Sequence, residues 1–266
     1  MRAQAALRGF LGVLALSGTA YADDPGPIGP GDPTWAARAQ LGYSKTGGNT
    51  DNSAGNLLLH VAHVLGDWKL LFGTEALYGS TRGETTAQAW DAHLQANYNL
   101  TPKLYWYSGV SYTDDRFSGF AYQESLNTGA GYQFIKSDTT KLSAQVGVGY
   151  RRLRPELLTK DDIGGVIERV ELDEQSSAVF DAAINFEHSF NESTKILASA
   201  NTQAGAQNTL TQASLSLQVK MTGKLSLAAG YQTSDNSNPP PGSGRRDSLT
   251  TLNLVYELKN EKLAPE

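Results

Sequence analysis

The sequence has no cysteine, only two methionines, and no apolar run that approaches the roughly 20 residues of a membrane-spanning helix. Without cysteine it can form no disulfide, no zinc–thiolate site and no cysteine nucleophile. Positive charge is also scarce, because 22 Lys and Arg stand against 27 Asp and Glu, for a net charge of −5. This balance argues against a general nucleic-acid-binding protein. The 27 glycines and 12 tyrosines are typical of many strands and turns rather than helices.

Residues 1–22 have the features of a secretory signal peptide. Arg2 and Arg8 supply positive charge, residues 9–16 form a short apolar stretch, and residues 20–22 give the small-x-small pattern Ala-Tyr-Ala. The apolar stretch is well short of the roughly 18–20 residues that a helical anchor needs. We therefore predict cleavage after residue 22, a Pro/Gly leader over 23–34 and a C-terminal tail over 259–266.

Between residues 35 and 258, apolar and polar side chains alternate along segments of roughly 10–14 residues, longer than the globular average of about 5–6. In segment 88–98, for example, Trp90, Leu94 and Tyr98 oppose Asp91 and His93. Alternation gives each strand one apolar and one wet face, and a strand crossing a bilayer needs about 9–11 residues. Short turns and longer loops also alternate along the chain. The sequence predicts one all-β domain, an up-and-down antiparallel transmembrane β-barrel of about 12 strands.

Aromatic side chains lie near both ends of the apolar segments. Amphipathic rings prefer the headgroup level of a membrane, and two aromatic girdles flank the lipid-facing band of outer-membrane barrels. The predicted girdle residues are Trp35, Tyr43, Trp68, Tyr78, Trp90, Tyr98, Tyr122, Phe134, Phe180 and Phe190.

The opposite side of the alternating pattern carries charges of both signs and would line the lumen. The predicted lumen-lining residues are Arg38, Lys69, Glu75, Asp91, His93, Arg151, Asp181 and Glu187. Opposed charges pair and plug a narrow barrel, whereas unpaired charges line an aqueous path and bias ion passage. About 12 strands lies between the packed eight-stranded barrel and the wide sixteen-stranded porin, so both a plug and a channel remain possible.

The histidines give little support to a catalytic or metal site. His60 and His63 are three residues apart on a strand and face opposite sides, which excludes a shared metal. His93 could position a proton with Asp91 and Gln95, but a polar lumen would contain the same residues. We therefore expect no enzyme activity, no cofactor and no metal. Two alternatives stay open: an outer-membrane lipid hydrolase or modifying enzyme, and a soluble periplasmic β-sandwich that binds a partner.

Residues 154–174 form the longest predicted loop, which begins basic and ends acidic. We interpret it as a solvated surface loop, or as a segment whose arginines contact lipopolysaccharide phosphates or whose acidic residues bridge divalent ions. The expected partners are outer-membrane lipids and lipopolysaccharide, with the barrel-assembly machinery during biogenesis and no nucleic acid. The oligomeric state is left open.

Several motifs occur in a recognisable order: Gly-Tyr at 42–43, Gly-Gly-Asn-Thr at 47–50, Asp-Trp at 67–68, Asp-Arg-Phe-Ser-Gly-Phe at 115–120 and Gly-Ala-Gly-Tyr at 129–132. This order resembles the salt-induced outer membrane protein family (YdiY-type, a domain of unknown function). The motif loops consist of Gly47, Gly48, Asn49 and Thr50, and of Asp115, Arg116, Phe117, Ser118 and Gly119. The resemblance implies a bacterial outer-membrane barrel of uncharacterised activity. We expect a non-enzymatic passive pore or an envelope-integrity protein.

Overall fold

The computed structural model describes residues 35–46, 52–241 and 243–259. The predicted signal peptide, the leader, the motif loop at 47–50 and the tail beyond residue 259 lie outside the described residues. Within them, no helix is both long enough and apolar enough to cross a membrane.

The described residues form thirteen β-strands. The strands are β1 (Trp35–Thr46), β2 (Asn52–Leu65), β3 (Trp68–Thr81), β4 (Glu84–Asn99), β5 (Leu104–Asp115), β6 (Phe120–Lys136), β7 (Thr140–Lys160), β8 (Val166–Glu171), β9 (Gln175–Ser189), β10 (Thr194–Gly205), β11 (Thr209–Lys220), β12 (Leu225–Asn236) and β13 (Arg246–Lys259).

All strands except β8 join one closed antiparallel wall. Each wall strand pairs with the next along the chain, β7 pairs with β9, and β13 returns to pair with β1. The closure leaves no free edge in this twelve-stranded ring, whereas a sandwich would consist of two separate sheets. The predicted up-and-down barrel of about 12 strands is therefore confirmed, and the β-sandwich alternative is wrong.

The segment predicted as one long loop, residues 154–174, is instead largely a β-hairpin. Strand β7 continues to Lys160, and β8 folds back onto the end of β7, from Glu156 to Lys160. Strand β8 pairs with β7 alone, so this hairpin extends beyond the wall. Sequence alternation missed it because the hairpin does not have one apolar face against lipid.

The two ends of the barrel differ in their connections. We call the end that carries the turns 66–67, 100–103, 137–139, 190–193 and 221–224 the turn rim; β1 begins there and β13 ends there. The opposite end, the loop rim, carries residues 116–119, 206–208, 237–245 and the β7–β8 hairpin. It also carries a two-residue turn in which Arg82 and Gly83 both adopt positive φ, 53° and 85°, as tight β-hairpins require.

The distribution of polarity is the reverse of that in a soluble protein. Large apolar side chains cover the outside; Leu94, Val110 and Leu126, which are neighbours across β4, β5 and β6, are 49%, 49% and 57% exposed. The inside is lined with buried amides, hydroxyls and charged groups. Apolar clusters inside are small, such as Leu77 with Ala87 and Ala89.

Candidate functional site: the barrel interior

Two tyrosines fill one side of the interior. Tyr105 and Tyr107 project inward from β5, and both are buried. Their rings occupy space left by glycines: a Cβ at Gly131 would lie 2.1 Å from Cζ of Tyr105, and a Cβ at Gly147 would lie 2.4 Å from the Tyr107 hydroxyl. The glycine-rich stretches of β6 and β7 therefore make room for aromatic side chains within the lumen.

Hydrogen bonds fix these tyrosines in place. The Tyr107 hydroxyl donates to Oδ1 of Asp181 over 2.7 Å, and the Asn127 amide donates to the same oxygen over 3.4 Å. The Gln145 amide donates to the Tyr105 hydroxyl over 2.9 Å. Side chains from β5, β6, β7 and β9 thus form one polar packing layer that narrows this half of the lumen.

A second cluster combines two carboxyl groups and two imidazoles. Glu75 and Asp91 are direct neighbours across β3 and β4. Nδ1 of His93 lies 3.3 Å from Oδ2 of Asp91, and Nε2 of His60 lies 3.9 Å from Oε1 of Glu75. Gly73 provides the space, since a Cβ there would lie 2.0 Å from Nε2 of His93.

The sequence predicts that Asp91 and His93 lie on the same face of one strand. In the structure, Glu75 and His60 join them from neighbouring strands. His63 lies on the other side of β2, where its ring stacks on Trp35 at a centroid distance of 3.8 Å. Among the residues that the structure describes, no group of three or more His, Asp or Glu is placed to hold a metal ion.

A third cluster lies near the turn rim, and we call it the neck network: Arg38, Lys195, Gln218 and Glu257. Nη2 of Arg38 donates to Oε1 of Gln218 over 2.9 Å. Nε2 of Gln218 and Nζ of Lys195 each donate to Oε1 of Glu257 over 3.0 Å. Nη1 of Arg38 lies 3.6 Å from the same oxygen. The network joins β1, β10, β11 and β13.

Two voids lie on the side of the interior away from the tyrosines. A cavity of about 140 Å³ lies between β1–β3 and β10–β13, with Arg38, Ser199, Gln232 and Asn253 among its lining residues. A second void, of about 240 Å³, opens at the turn rim and is lined by Lys195, Gln218, Glu257 and the turns at 190–193 and 223–224. We call them the inner cavity and the vestibule.

The second motif loop covers part of the loop rim. Asp115 accepts a hydrogen bond from the Phe117 amide over 2.9 Å, and Nζ of Lys160 donates to the Phe117 carbonyl over 3.2 Å. Phe117 is 5% exposed.

Gly119 has a φ of +83°, and Ser243 of the 237–245 loop packs directly against it. Arg116 instead donates to the side chain of Gln88 over 2.9 Å on the surface. Ser118 closes the turn through the Asp115 carbonyl.

Of the remaining charged residues predicted for the lumen, Arg151 and Lys69 are buried, and Glu187 is half-buried and paired with Lys141. Arg151 is 1% exposed and donates to the Asn208 backbone oxygen over 3.1 Å, with a further contact to the Asn208 side chain. Nζ of Lys141 lies 3.1 Å from Oε1 of Glu187. Lys69 is 3% exposed near the turn rim.

The predicted girdle residues lie on the outside of the wall. Nine of the ten are more than one third exposed, and Trp68 packs on Tyr98 at a ring distance of 5.0 Å. Tyr122 differs, because it is half-buried and its hydroxyl donates to Oε2 of Glu174 over 2.5 Å. Its ring stacks on that of Tyr112 at 6.5 Å.

Sequence reasoning missed Tyr105, Tyr107, Lys195 and Gln218 as interior residues of note. A signal existed for the tyrosines: they occupy the polar side of their strand, and the adjacent strands present glycines on that side. The neck network had no comparable signal, since Arg38 and Gln218 are 180 positions apart in sequence.

A closed antiparallel barrel with a polar interior and an apolar exterior places the protein in the class of transmembrane β-barrels. The chain belongs to the family described as Protein of unknown function, DUF481, whose model matches residues 39–258. No protein of curated function matches the sequence.

Solved structures with a similar fold include several barrels. The translocator domain of autotransporter NalP from Neisseria meningitidis has a TM-score of 0.47 at 14% identity, covering 87% of this chain and 89% of that chain. The beta domain of the Bordetella autotransporter Brka gives 0.41 at 11% identity, covering 85% and 98%. The NanC porin gives 0.43 at 12% identity, covering 84% and 97%. Because these scores lie below 0.5, the roles of those proteins say nothing about this chain.

Proposed function

We propose that the protein is a bacterial outer-membrane barrel that acts as a narrow, non-enzymatic pore for small polar solutes. The observation that carries the proposal is the inner cavity, where neutral amides and hydroxyls such as Gln40, Ser199 and Gln232 outnumber the charged side chains Arg38, Glu75 and Asp247. Neutral polar groups hydrogen-bond a passing solute without holding it by charge, and conduction requires binding weak enough for release.

The exterior supports the membrane location. Leu215, Leu217, Leu252 and Leu254 are each 45–62% exposed on β11 and β13, and similar side chains continue around the wall. Soluble monomers rarely expose contiguous apolar patches beyond about 300–600 Å², whereas a bilayer requires this surface. In the closed wall, each strand is hydrogen-bonded to a neighbour on both sides. Its backbone N–H and C=O groups can therefore cross the hydrocarbon layer without losing hydrogen bonds.

Charged side chains on the outer face lie toward the loop rim, where they fit a headgroup region. Arg152 pairs with Glu124 over 2.5 Å, and Arg246 pairs with Asp235 over 3.2 Å. Contact of these groups with lipopolysaccharide phosphates belongs to the same proposal, as does cleavage of a signal peptide before export.

Planar-bilayer recording of the refolded protein tests the pore. We expect discrete current steps after insertion, and swelling of proteoliposomes in small neutral sugars, with protein-free detergent as the control. Heat-shifted migration on a gel would verify that the sample contains folded barrel. Folded protein that inserts yet passes neither ions nor sugars would leave an envelope-integrity role in place of a pore.

Assignment to the salt-induced, YdiY-type branch of the family is a further part of the proposal. It is carried by the Asp-Arg-Phe-Ser-Gly loop at 115–119, which is ordered by hydrogen bonds at the loop rim. Immunoblots of cells grown at low and high salt would test it; equal protein levels would contradict the salt-induced assignment.

A further inference from the structure

We propose that the neck network closes the pore on the turn-rim side and sets its ion preference. This inference rests on the proposed pore function and names the residues that would control it. Its basis is the position of four side chains between two voids, together with the convergence of their hydrogen bonds on one carboxylate oxygen.

The positions of the four side chains separate the inner cavity from the vestibule. Arg38 lines the inner cavity, whereas Lys195, Gln218 and Glu257 line the vestibule. Arg38 bonds directly to Gln218. A solute moving from one void to the other must therefore pass or displace this bonded group.

The hydrogen bonds of the network join strands that are not direct neighbours in the wall. Strands β1 and β13 are neighbours in the wall, as are β10 and β11, but β12 stands between β11 and β13. The bonds from Gln218 on β11 to Glu257 on β13, and from Arg38 on β1 to Gln218, therefore span a chord of the barrel. This chord spans the arc from β10 to β1 and narrows the side of the lumen that the tyrosine rings leave open.

The charge of the network follows from its members. Arg38 and Lys195 carry two positive charges, and Glu257 carries one negative charge to which both cations are directed. Arg38 is 7% exposed, so little water screens it. The turn rim also presents the Lys141–Glu187 pair, which adds no net charge. The neck therefore has a positive excess, which favours anions.

Two substitutions separate closure from charge. Arg38→Ala removes the side chain that bridges the voids, and we expect single-channel conductance to rise roughly twofold or more. Glu257→Gln keeps the size of the side chain but removes its charge, and we expect the reversal potential in a salt gradient to shift toward anion preference. Arg152→Ala and Glu124→Gln are matched controls, because they alter an Arg–Glu pair on the outer face and should leave both quantities unchanged.

The outcomes distinguish the inference from the pore function itself. If the wild type conducts and both neck variants match it, the inference is overturned and the pore stands. If neither the wild type nor any neck variant conducts, both fall. If the wild type is closed and Arg38→Ala opens it, the neck network is the closure and the inference is supported, whereas the open passive pore of the proposed function is contradicted. Should Arg38→Ala fail to fold on a heat-shift gel, Gln218→Ala removes the other half of the bridge between the voids, and we again expect conductance to rise. Lys195→Gln then tests the charge of the neck, with an expected shift toward cations.

Discussion

Single glycines determine how the interior is packed. A Cβ at Gly129 would lie 2.2 Å from the Val146 carbonyl oxygen and 2.5 Å from Cα of Gly147. Because both are backbone atoms, the wall itself would have to move. We expect Gly129→Ala to lower the free energy of unfolding by about 1–3 kcal/mol, measured by urea titration in vesicles with tryptophan fluorescence. Gly55→Ala is the control, since its Cβ would meet the nearest atom at 3.7 Å; equal losses in the two variants would refute the explanation.

The Tyr107 hydroxyl provides a second test at this scale. Tyr107→Phe preserves the ring but removes a 2.7 Å hydrogen bond to Asp181. Leaving a buried carboxyl group without one of its donors costs about 1–3 kcal/mol, which the same urea titration would register. Tyr43→Phe, at a side chain that is 70% exposed, should change nothing, and a loss as large as that of Tyr107→Phe would count against the assigned role.

Which side of the wall a residue occupies could be predicted, but its partner could not. Period-two alternation places Asp91, His93 and Arg38 on one side from local sequence alone. The partners of Arg38 depend on the pairing of β1 with β13 and on the positions of β11 and β10, which are the second and third strands beyond β13 in the ring. Those relations arise from closure and stagger of the whole ring, which no local pattern encodes.

Among the elements, the wall strands were predictable and the β7–β8 hairpin was not. Strand positions follow from alternation because one face meets an apolar environment. The hairpin beyond the wall has no such constraint, so its charged residues indicated a loop. Its one strongly buried carboxylate, Glu156, is paired with Arg169 over 2.7 Å, a contact within the hairpin that gives no periodic signal.

The hairpin should be dispensable for folding of the barrel. Strand β8 pairs only with β7, and the twelve wall strands close without it. Replacing residues 157–170 with a short Asn-Gly turn should therefore leave a barrel that still migrates with a heat-dependent shift. Deletion of two wall strands, residues 68–99, should abolish the shift. If the shorter deletion also abolished it, the hairpin would be part of the folding unit.

The hairpin tip is held by Asp161, whose Oδ1 accepts hydrogen bonds from the amides of Gly165 over 2.7 Å and Ile163 over 3.0 Å. Desolvation acts to raise the pKa of Asp161, but these bonds and a contact from Glu84 outweigh it, so the pKa lies below its ordinary value. A carboxyl group with a lowered pKa stabilises the folded turn at pH values above its ordinary pKa of about 3.9. This stabilisation is lost as the pH falls through the lowered pKa.

At neutral pH, Asp161→Ala should therefore speed amide hydrogen exchange across residues 161–165, whereas Asp162→Ala should not. Mass spectrometry of peptides from the tip would measure the difference. In strong acid the wild type should approach the variant. Equal exchange at neutral pH would show that the carboxylate does not order the turn.

On the scale of the whole molecule, the outer surface should tolerate charge according to depth. Leu215 lies near the middle of β11 and is 49% exposed, while Met221 follows the strand at the turn rim and is 63% exposed. An arginine at mid-depth costs about 2–4 kcal/mol, and near an interface about 0–1. We expect Leu215→Arg to reduce folding stability in vesicles by the larger amount and Met221→Arg by the smaller. Similar losses would mean that this surface does not face hydrocarbon.

The hydrogen-bonded seam between β1 and β13 has a consequence for biogenesis. It joins residues near opposite ends of the described chain, such as Ala37 and Leu258, so the ring cannot shut until its last strand has been made. Every shorter nascent chain presents two unpaired edges, which are templates for aggregation. The seam thus leaves every incomplete chain open to edge-to-edge association, and it makes completion of the ring an all-or-none event at the final strand.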